Sequence, residues 1–279
     1  MMEKKVSVVI PVYNGMPKIK LAISSLLSQS YINWEAIIVD DGSTDGTTEY
    51  LDSLKDPRFI VHHFDRNYGR PYARQKALDI ATGDYLAMLD ADDFYAPEKL
   101  QVQVELMERY PYVDLVSSGL CSWGTITKEL RVRGLGDDTI KVANSESTVV
   151  HASSMLRMEE AKKYKYNMML KYGQDQDFLH RYLNGKKYIV QNSVLYYYSE
   201  FDSVNRRKII NTHWVCCKKA AKQHDIKPLF VEFIKYVVCS IVYPFMSDEQ
   251  ILLRRGQIPT DKQSLDFHDI YTKLIRNIE

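Results

Sequence analysis

The chain has 279 residues, 45% hydrophobic and 26% charged, which suffices for one large domain or a domain with an appendage. Lysine and arginine (37) nearly balance aspartate and glutamate (36), and this excludes the basic surplus of a dedicated nucleic-acid binder. The four cysteines form no CxxC pair and no zinc-binding spacing, which favours a reducing, cytoplasmic setting. With no signal peptide and no membrane-spanning run, we expect a cytoplasmic protein, soluble or peripheral to the inner face of the membrane.

The first half of the chain alternates strand-like runs with helical patterns, which is typical of βαβ units and a mostly parallel sheet flanked by helices. Strands are predicted where apolar and β-branched runs are continuous, at 6–12, 36–40, 58–64 and 84–89. Helices are predicted between them, at 19–29, 47–54, 72–81 and 98–109. The sequence therefore predicts an α/β fold.

The second half has a mixed pattern and then becomes helical. Strands are predicted near 113–117, 149–156 and 188–197, and a helix at 176–183. The stretch after residue 205 is helical and more basic. We therefore expect a catalytic domain of residues 1–205, with halves 1–110 and 111–205, and a helical C-terminal extension of residues 206–279.

Three carboxylates follow the fourth predicted strand, in the segment Asp90-Ala91-Asp92-Asp93. Carboxylates this close repel each other unless a cation or hydrogen-bond donors offset the repulsion. Mg²⁺ or Mn²⁺ takes oxygen ligands, commonly one or two carboxylates plus substrate phosphates, so the segment is a candidate site for a metal-bound diphosphate. The alternative is an acidic turn or helix cap before Pro97.

Polar residues also follow the first two strands, where ligands of such sheets collect. Tyr13 and Asn14 come after strand one, and Asp40 and Asp41 after strand two. An aspartate there could accept the ring N–H of a base such as uracil, and Tyr13 could stack on that base. The alternative for the second segment is ordinary turn chemistry with Asp45 as a helix N-cap.

Four further residues are candidates, each with a structural alternative. Arg70 or Arg74 could bind a phosphate at a helix start, or lie on a solvated helix face. Asp175 could be a general base that takes a proton from an acceptor hydroxyl, or only a helix N-cap. His151 could lie in the cleft, or be a hydrogen-bonded strand histidine.

Taken in order, six motifs resemble the family 2 glycosyltransferases with the GT-A fold. They are VSVVIPVYN at 6–14, VDDGSTDGT at 39–47, NYGRPYARQKAL at 67–78, GDYLAMLDADD at 83–93, HASSMLR at 151–157 and GQDQDFLHRYLNGKK at 173–187. The resemblance covers roughly residues 4–205. Each motif is modest, but six in the family's order and spacing make coincidence improbable.

The resemblance implies an inverting transfer from a nucleoside-diphosphate sugar, often a UDP-sugar, with Mn²⁺ or Mg²⁺, to a glycan or lipid-linked saccharide acceptor. Asp175 is then the expected base. The expected nucleotide-binding residues are Pro11, Tyr13, Asn14, Asp41, Arg74, Asp90 and Ala91; the expected metal ligands are Asp90, Asp92 and Asp93; and His151 and Gln174 are expected on the acceptor or donor-sugar side. The alternatives are a non-catalytic nucleotide-sugar-binding homologue and a metal-dependent phosphohydrolase.

Two positions depart from the family pattern. Gln174 stands where the family usually has a glutamate before the base. After the tyrosine-rich strand, the stretch 199–203 lacks the arginine and the metal-approaching histidine that are common in the family. Glu200 or Asp202 is the expected substitute for that histidine.

The predicted extension carries an apolar stripe at helical spacing between Pro228 and Pro244. Such a stripe packs on the domain, on a second copy in a homodimer, or on a membrane surface whose anionic lipids would meet the nearby lysines and arginines.

Overall fold

The structure, a computed structural model, describes residues 3–125, 129–144, 147, 149–170, 172–203, 206–222 and 226–278. The chain divides into two compact units. The first unit comprises residues 1–121, 132–198 and 259–279. The second comprises residues 122–131 and 199–258.

Within the part of the chain that the structure describes, ten strands form a single sheet. They are β1 (Val6–Val12), β2 (Trp34–Asp40), β3 (Phe59–His63), β4 (Tyr85–Met88), β5 (Phe94–Tyr95), β6 (Leu115–Ser122), β7 (Arg131–Arg133), β8 (Ile140–Val142), β9 (Met155–Arg157) and β10 (Lys187–Tyr198). Their order across the sheet is β3-β2-β1-β4-β9-β6-β10-β5, with β7 beside β6 and β8 beside β10.

Helices lie between and after these strands. Those of the first unit are α1 (Ile19–Leu27), α2 (Thr47–Asp52), α3 (Arg70–Ile80), α4 (Lys99–Arg109), α5 (Met158–Ala161), α6 (Gln174–Leu183) and α11 (Asp261–Arg276). Those of the second unit are α7 (Glu200–Ser203), α8 (Arg206–Lys222), α9 (Ile226–Val242) and α10 (Asp248–Leu252). No helix of the described residues is long and apolar enough to cross a membrane.

The N-terminal part of the sheet is parallel, as predicted. β1 pairs in parallel with β2 and β4, and β2 pairs in parallel with β3. Every residue of β1 is buried because helices cover both faces. Val8 joins the core that includes Ile19 of α1, whereas Val9 joins the core that includes Ala73 of α3.

The C-terminal part of the sheet is antiparallel, so the whole sheet is mixed rather than mostly parallel. β9 pairs antiparallel with both β4 and β6, and β10 with β5 and β8. The strand predicted at 149–156 is confined to Met155–Arg157. The preceding residues form a turn instead, in which Ser154 N donates to His151 O at 3.1 Å and Ser154 Oγ donates to Val150 O at 2.6 Å.

The last helix belongs to the first unit. Phe267 and Leu274 of α11 are buried, and the Phe267 ring lies 5.6 Å from that of Tyr197 and 6.0 Å from that of Phe94. Ser24 Oγ of α1 donates to Leu274 O at 3.3 Å. The C-terminal helices are therefore present, whereas the predicted domain boundary at residue 205 stays a prediction.

Candidate active site

The carboxyl ends of β1, β2 and β4 meet at one edge of the sheet, because the three strands are parallel neighbours. Val12 is in register with Asp40, and Asp41 N donates to Val12 O at 2.8 Å. Leu89 N donates to Val9 O at 3.1 Å, which brings the segment after β4 to the same edge. This is where the α/β fold places a ligand crevice.

The loops after β1 and β2 are tied together by hydrogen bonds. Asn14 has a left-handed backbone (φ 49°); its N–H donates to Ser43 Oγ, and its Oδ1 accepts from Thr44 N, each at 2.8 Å. Pro11 is buried within β1, whereas the Tyr13 side chain is 50% exposed at this edge. The tied loops leave the Tyr13 ring accessible for stacking.

The alternative for this segment, Asp45 as the N-cap of α2, is not found. Gly46 (φ 89°) is the N-cap residue of α2 and makes no side-chain hydrogen bond. Asp45 instead accepts from Thr47 N at 3.1 Å and from Met16 N at 3.0 Å, which joins it to the loop after β1. The acidic residue therefore ties the two loops together.

Asp41 fixes the loop that leads into α3. Its buried carboxylate accepts from Tyr68 N at 2.7 Å and from Gly69 N at 2.8 Å. Burial raises the pKa of Asp41 in spite of these two hydrogen bonds. Each carboxylate oxygen keeps a further lone pair, so a contact to a nucleotide base remains compatible with this geometry.

An ion pair between Arg74 and Asp90 lies at the strand ends. The Arg74 side chain is almost wholly buried, and its Nη2 donates to Asp90 Oδ1 at 2.9 Å. Burial alone would lower the pKa of Arg74, but Asp90 and then Asp175 outweigh it and raise the pKa. Burial would raise the pKa of Asp90, but Arg74 and Arg70 lower it. Both partners are therefore charged at neutral pH.

Asp92 shares the crevice with Asp90 but has no comparable cation beside it. Its side chain is half-buried, and burial followed by the Asp90 charge raises the pKa of Asp92. Lys18 and Arg70 act in the opposite direction. Ala91, between the two aspartates, packs against the core and approaches the loop after β1 at Gly15.

Asp93 is fully buried behind this turn. Tyr196 Oη of β10 donates to Asp93 Oδ2 at 2.6 Å and accepts from Asp90 N at 3.2 Å. Burial and the nearby carboxylates raise the pKa of Tyr196 well above its ordinary range, so the phenol stays a donor. The expected role of Asp93 as a metal ligand stays a prediction, which this hydrogen bond disfavours.

A buried aromatic cluster lies close to these charges. His151 Nε2 is 3.2 Å from Tyr166 Oη, and the Tyr166 ring stacks on Phe178 with centroids 4.4 Å apart. Burial, with the Arg74 charge, lowers the pKa of His151 to about 4, although Asp175 and Asp90 oppose this. His151 is therefore neutral at physiological pH.

Asp175 lies in the first turn of α6, whose N-cap is Gly173 (φ 70°). Its carboxylate is half-buried and accepts from Gln176 N at 2.9 Å. The Asp175 charge acts to raise the pKa values of both Arg74 and His151. The neighbouring Gln174 is buried.

The donor atoms suit a divalent cation only in part. Asp90 and Asp92 offer two accessible carboxylates, which fits an ion that completes its coordination with substrate phosphates. Among the residues that the structure describes, no group of three His, Cys, Asp or Glu side chains is placed to hold a metal. Asp90 and Asp92 are therefore the residues that fit.

The expected substitutes for the missing histidine have other partners. Within the second unit, Glu200 is buried, forms an ion pair with Arg255 and accepts from Ser122 Oγ at 2.6 Å. Asp202 accepts from Thr125 N at 3.0 Å. Both carboxylates therefore hold their own unit together.

Sequence reasoning missed Tyr166 and the bridging role of Tyr196. Tyr166 lies in a stretch without regular periodicity, where its N–H donates to Gln75 Oε1 at 2.9 Å. Tyr196 carried only a packing signal in a run of three tyrosines. Neither contact has a local sequence signature, because each joins residues 91 or more positions apart.

The sequence model of the family described as "Glycosyl transferase family 2" matches residues 7–214. The chain belongs to this family. An uncharacterized glycosyltransferase of Methanocaldococcus jannaschii is 33% identical over 233 residues, which cover 75% of this chain and 79% of the relative. The resemblance carried by the six motifs is thereby confirmed.

Two bacterial relatives match a shorter part of the chain at higher identity. TuaG of Bacillus subtilis, whose name assigns it to teichuronic acid biosynthesis, is 45% identical over 104 residues. WfaP of Escherichia coli, named as a UDP-Glc:alpha-D-GlcNAc-diphosphoundecaprenol beta-1,3-glucosyltransferase, is 42% identical over 103 residues. Each match covers 37% of this chain and 41% of the relative, less than half of its length.

Solved structures share the fold at low identity. S. aureus TarS 1–349 has a TM-score of 0.64 at 21% identity, covering 82% of this chain and 70% of that one. The mannosyltransferase PcManGT from Pyrobaculum calidifontis has a TM-score of 0.62 at 16% identity, covering 99% and 86%. The expected GT-A fold with C-terminal helices is confirmed.

Proposed function

We propose that this protein is an inverting glycosyltransferase that moves one sugar from a UDP-sugar to an acceptor hydroxyl. The main observation behind the proposal is the Arg74–Asp90 ion pair at the strand ends. It holds one positive and one negative charge within electrostatic range of two further carboxylates, Asp92 and Asp175. Family membership and the names of the relatives support the reaction class.

The donor occupies the crevice at the ends of β1, β2 and β4. Tyr13 stacks on the base, and Asp41 accepts its ring N–H while holding the loop before α3. Asp90 and Asp92 would hold a Mn²⁺ or Mg²⁺ ion, which would neutralise charge on the diphosphate. The solved complexes of TarS with UDP and UDP-GlcNAc, and of PcManGT with GDP-Man and Mn²⁺, support this assignment.

Asp175 is the general base. Its half-buried carboxylate at the start of α6 removes the proton of the acceptor hydroxyl as that oxygen attacks the anomeric carbon, while the bond from that carbon to the diphosphate oxygen breaks and UDP leaves with the electron pair. Direct displacement inverts the configuration at that carbon. Neutral His151 and buried Gln174 lie on the sugar side, where they add no charge that would compete with Asp175.

The acceptor is a glycan or a lipid-linked saccharide of a bacterial polysaccharide or oligosaccharide. The names of TuaG and WfaP support this class of acceptor. The buried thiols of Cys121, Cys217 and Cys239 support a reducing cytoplasmic location. The C-terminal helices contact either a membrane or a second copy of the chain.

Calorimetric titration of UDP, GDP and TDP, each with and without Mn²⁺, tests the donor site on the wild type and on Asp92→Ala. We expect UDP to bind more tightly with Mn²⁺, and the Mn²⁺ effect to disappear in Asp92→Ala. If all three nucleotides fail to bind under both conditions, the donor assignment is wrong.

A second measurement follows UDP release from a panel of UDP-sugars, with and without saccharide acceptors. Release of UDP supports an active transferase. UDP binding without any release would identify a non-catalytic homologue, and a covalent aspartyl-phosphate would identify a phosphohydrolase.

A further inference from the structure

One face of α9 and of the short 3-10 helix that follows it is apolar and open to solvent. Six side chains on it are between 44% and 87% exposed: Phe230, Phe233, Ile234, Val238, Ile241 and Phe245. Those on α9 recur at intervals of three and four residues, which places them on one side of the helix. We call these six side chains the α9 stripe.

The opposite side of α9 is already occupied by α8. The Tyr236 ring lies 5.1 Å from that of Trp214, and His213 Nδ1 lies 2.8 Å from Glu232 Oε2. Cys239, on the same side of α9, is buried. The α9 stripe is therefore not the surface through which the two helices pack.

An exposed apolar stripe of this size needs a partner. Single exposed apolar side chains are normal on a protein surface, whereas a contiguous patch marks an interaction site. Three of the six side chains are phenylalanines. A phenylalanine ring that stays in water forgoes the large favourable free energy of transfer to an apolar environment. The stripe is thus a docking surface for an apolar partner.

The charge of the helix pair discriminates between partners. Residues 206–222, which form α8, contain six Lys or Arg and no Asp or Glu. α9 adds two Lys against one Glu. A second copy would bring two equally basic helix pairs together, which costs free energy, whereas an anionic surface is complementary.

The dimensions of α9 determine how it meets such a surface. The helix has 17 residues and carries three charged side chains, and no described helix is long and apolar enough to cross a membrane. A helix with one apolar face and a basic neighbour lies in the plane of the membrane interface.

We propose that the α9 stripe docks on an anionic lipid bilayer, with its phenylalanines inserted at the boundary of the acyl chains, and that the net positive charge of the α8–α9 pair attracts the pair to the anionic surface. The proposal goes beyond sugar transfer and holds whether or not the protein is an active transferase.

Sedimentation with lipid vesicles tests the proposal. We expect the full-length protein to sediment with vesicles of phosphatidylglycerol and phosphatidylcholine, and less with phosphatidylcholine alone or at high salt. The double variant Phe230→Ser/Phe233→Ser should bind the anionic vesicles about tenfold or more weakly. Ile32→Ser, which changes an exposed apolar residue of the first unit, is the matched control and should bind like the wild type.

A second pair of variants tests the electrostatic part. Arg207→Glu/Lys218→Glu changes two exposed basic residues of α8 and should weaken binding to anionic vesicles, whereas Lys55→Glu in the first unit should not. Unchanged UDP titration and circular dichroism would show that the variants fold.

Three outcomes would overturn the proposal. They are a wild type that ignores anionic vesicles, a Phe230→Ser/Phe233→Ser variant that binds them like the wild type, and a wild-type dimer that this double variant dissociates in analytical ultracentrifugation.

Discussion

At the scale of single residues, three carboxylates of the candidate active site have different surroundings. Asp90 is held ionised by Arg74, whereas the pKa of Asp92 is raised by burial and by Asp90. Asp175 sits apart in the first turn of α6. Carboxylates of different environment can serve different chemical roles, as cation ligand and as proton acceptor.

Replacing Asp175 by Asn should abolish most transfer while donor binding survives. The amide keeps the shape of the side chain but cannot accept the acceptor's proton, so we expect kcat to fall by about 10²- to 10⁴-fold. UDP affinity, measured by calorimetry, should stay unchanged.

Asp177→Asn is the matched control, because this carboxylate lies in the same turn but pairs with Arg181 at 2.9 Å. It should retain transfer. Full activity of Asp175→Asn would remove Asp175 from the role of base.

A fully buried lysine should make stability depend on pH. Lys99 Nζ donates to Gln103 Oε1 at 2.7 Å and lies 4.2 Å from the Tyr95 ring centroid, and burial lowers the pKa of Lys99 to about 7. In the unfolded chain the lysine pKa is about 10.4. The unfolded state therefore binds more protons between these values, and the free energy of unfolding rises with pH across this window.

The variant Lys99→Met has no titrating group at this position, so it lacks this pH dependence of the free energy of unfolding. From pH 7 to about pH 9, the wild type should gain stability relative to the variant by up to about 1.4 kcal/mol per pH unit, measured by urea unfolding. Lys55→Met, at an exposed position, is the control. Parallel curves for the wild type and Lys99→Met would show that Lys99 does not titrate in this range.

Sequence could predict the position of residues that directly follow a strand, but not hydrogen bonds between positions far apart in the chain. Sequence placed Asp41 and Asp90 at one edge because parallel strands share their carboxyl ends. It could not show that Asp41 holds Tyr68 N and Gly69 N, since those donors are backbone atoms without side-chain identity.

At the scale of elements, the turn after β2 and the loop before α3 act as one piece. Gly42 has φ 74°, and a Cβ there would lie 2.6 Å from the Arg66 backbone carbon. Asp41, the residue before Gly42, contacts the same loop. It accepts hydrogen bonds from Tyr68 N and Gly69 N, two and three residues after Arg66. The turn after β2 and the loop before α3 can approach this closely because glycine has no side chain at position 42.

Gly42→Ala should therefore destabilise the protein and weaken UDP binding. An alanine at position 42 would be strained by the left-handed backbone, and its Cβ would overlap the Arg66 backbone. The two free-energy costs add, so we expect a loss of about 2–5 kcal/mol in the free energy of unfolding. Gly46→Ala is the matched control: it has φ 89° but no atom within 4 Å of the added Cβ.

Gly46→Ala should lose only the backbone contribution of about 1–2 kcal/mol and keep UDP affinity. Equal effects of the two substitutions in urea unfolding and calorimetry would argue against steric coupling between the turn and the loop.

Element prediction was accurate for the parallel half and weaker for the rest. Strands β1, β2 and β4 were found because all their residues are buried and their apolar runs are continuous, whereas β3 is only partly buried. The strand predicted at 149–156 was too long, because Ser153 and Ser154 satisfy the local backbone through their hydroxyls. β5, β7 and β8 have two or three residues and give no periodic signal.

At the scale of the molecule, the chain returns to the first unit at its end. α11 begins at a capping box formed by Thr260 and Gln263 and buries Phe267 beside Phe94 and Tyr197. A stretch that sequence reasoning assigned to an appended extension thus supplies part of the first unit's core.

Phe267→Ala should cost about 3–5 kcal/mol in the free energy of unfolding, because the ring is buried and the site cannot fully collapse. Leu265→Ala, two residues earlier and 64% exposed, should change stability by about 0.5 kcal/mol or less. Guanidinium unfolding of both variants measures the difference, and similar losses would show that α11 is peripheral to the core.

The strand order has a consequence for synthesis on the ribosome. β4 is completed at Met88, but its neighbour β9 begins only at Met155. While the intervening residues are being translated, β4 presents an unpaired edge with free backbone donors and acceptors, which is a template for pairing with another chain. The nascent protein is therefore most exposed to aggregation after the parallel strands β1 to β4 have formed and before β9 inserts beside β4.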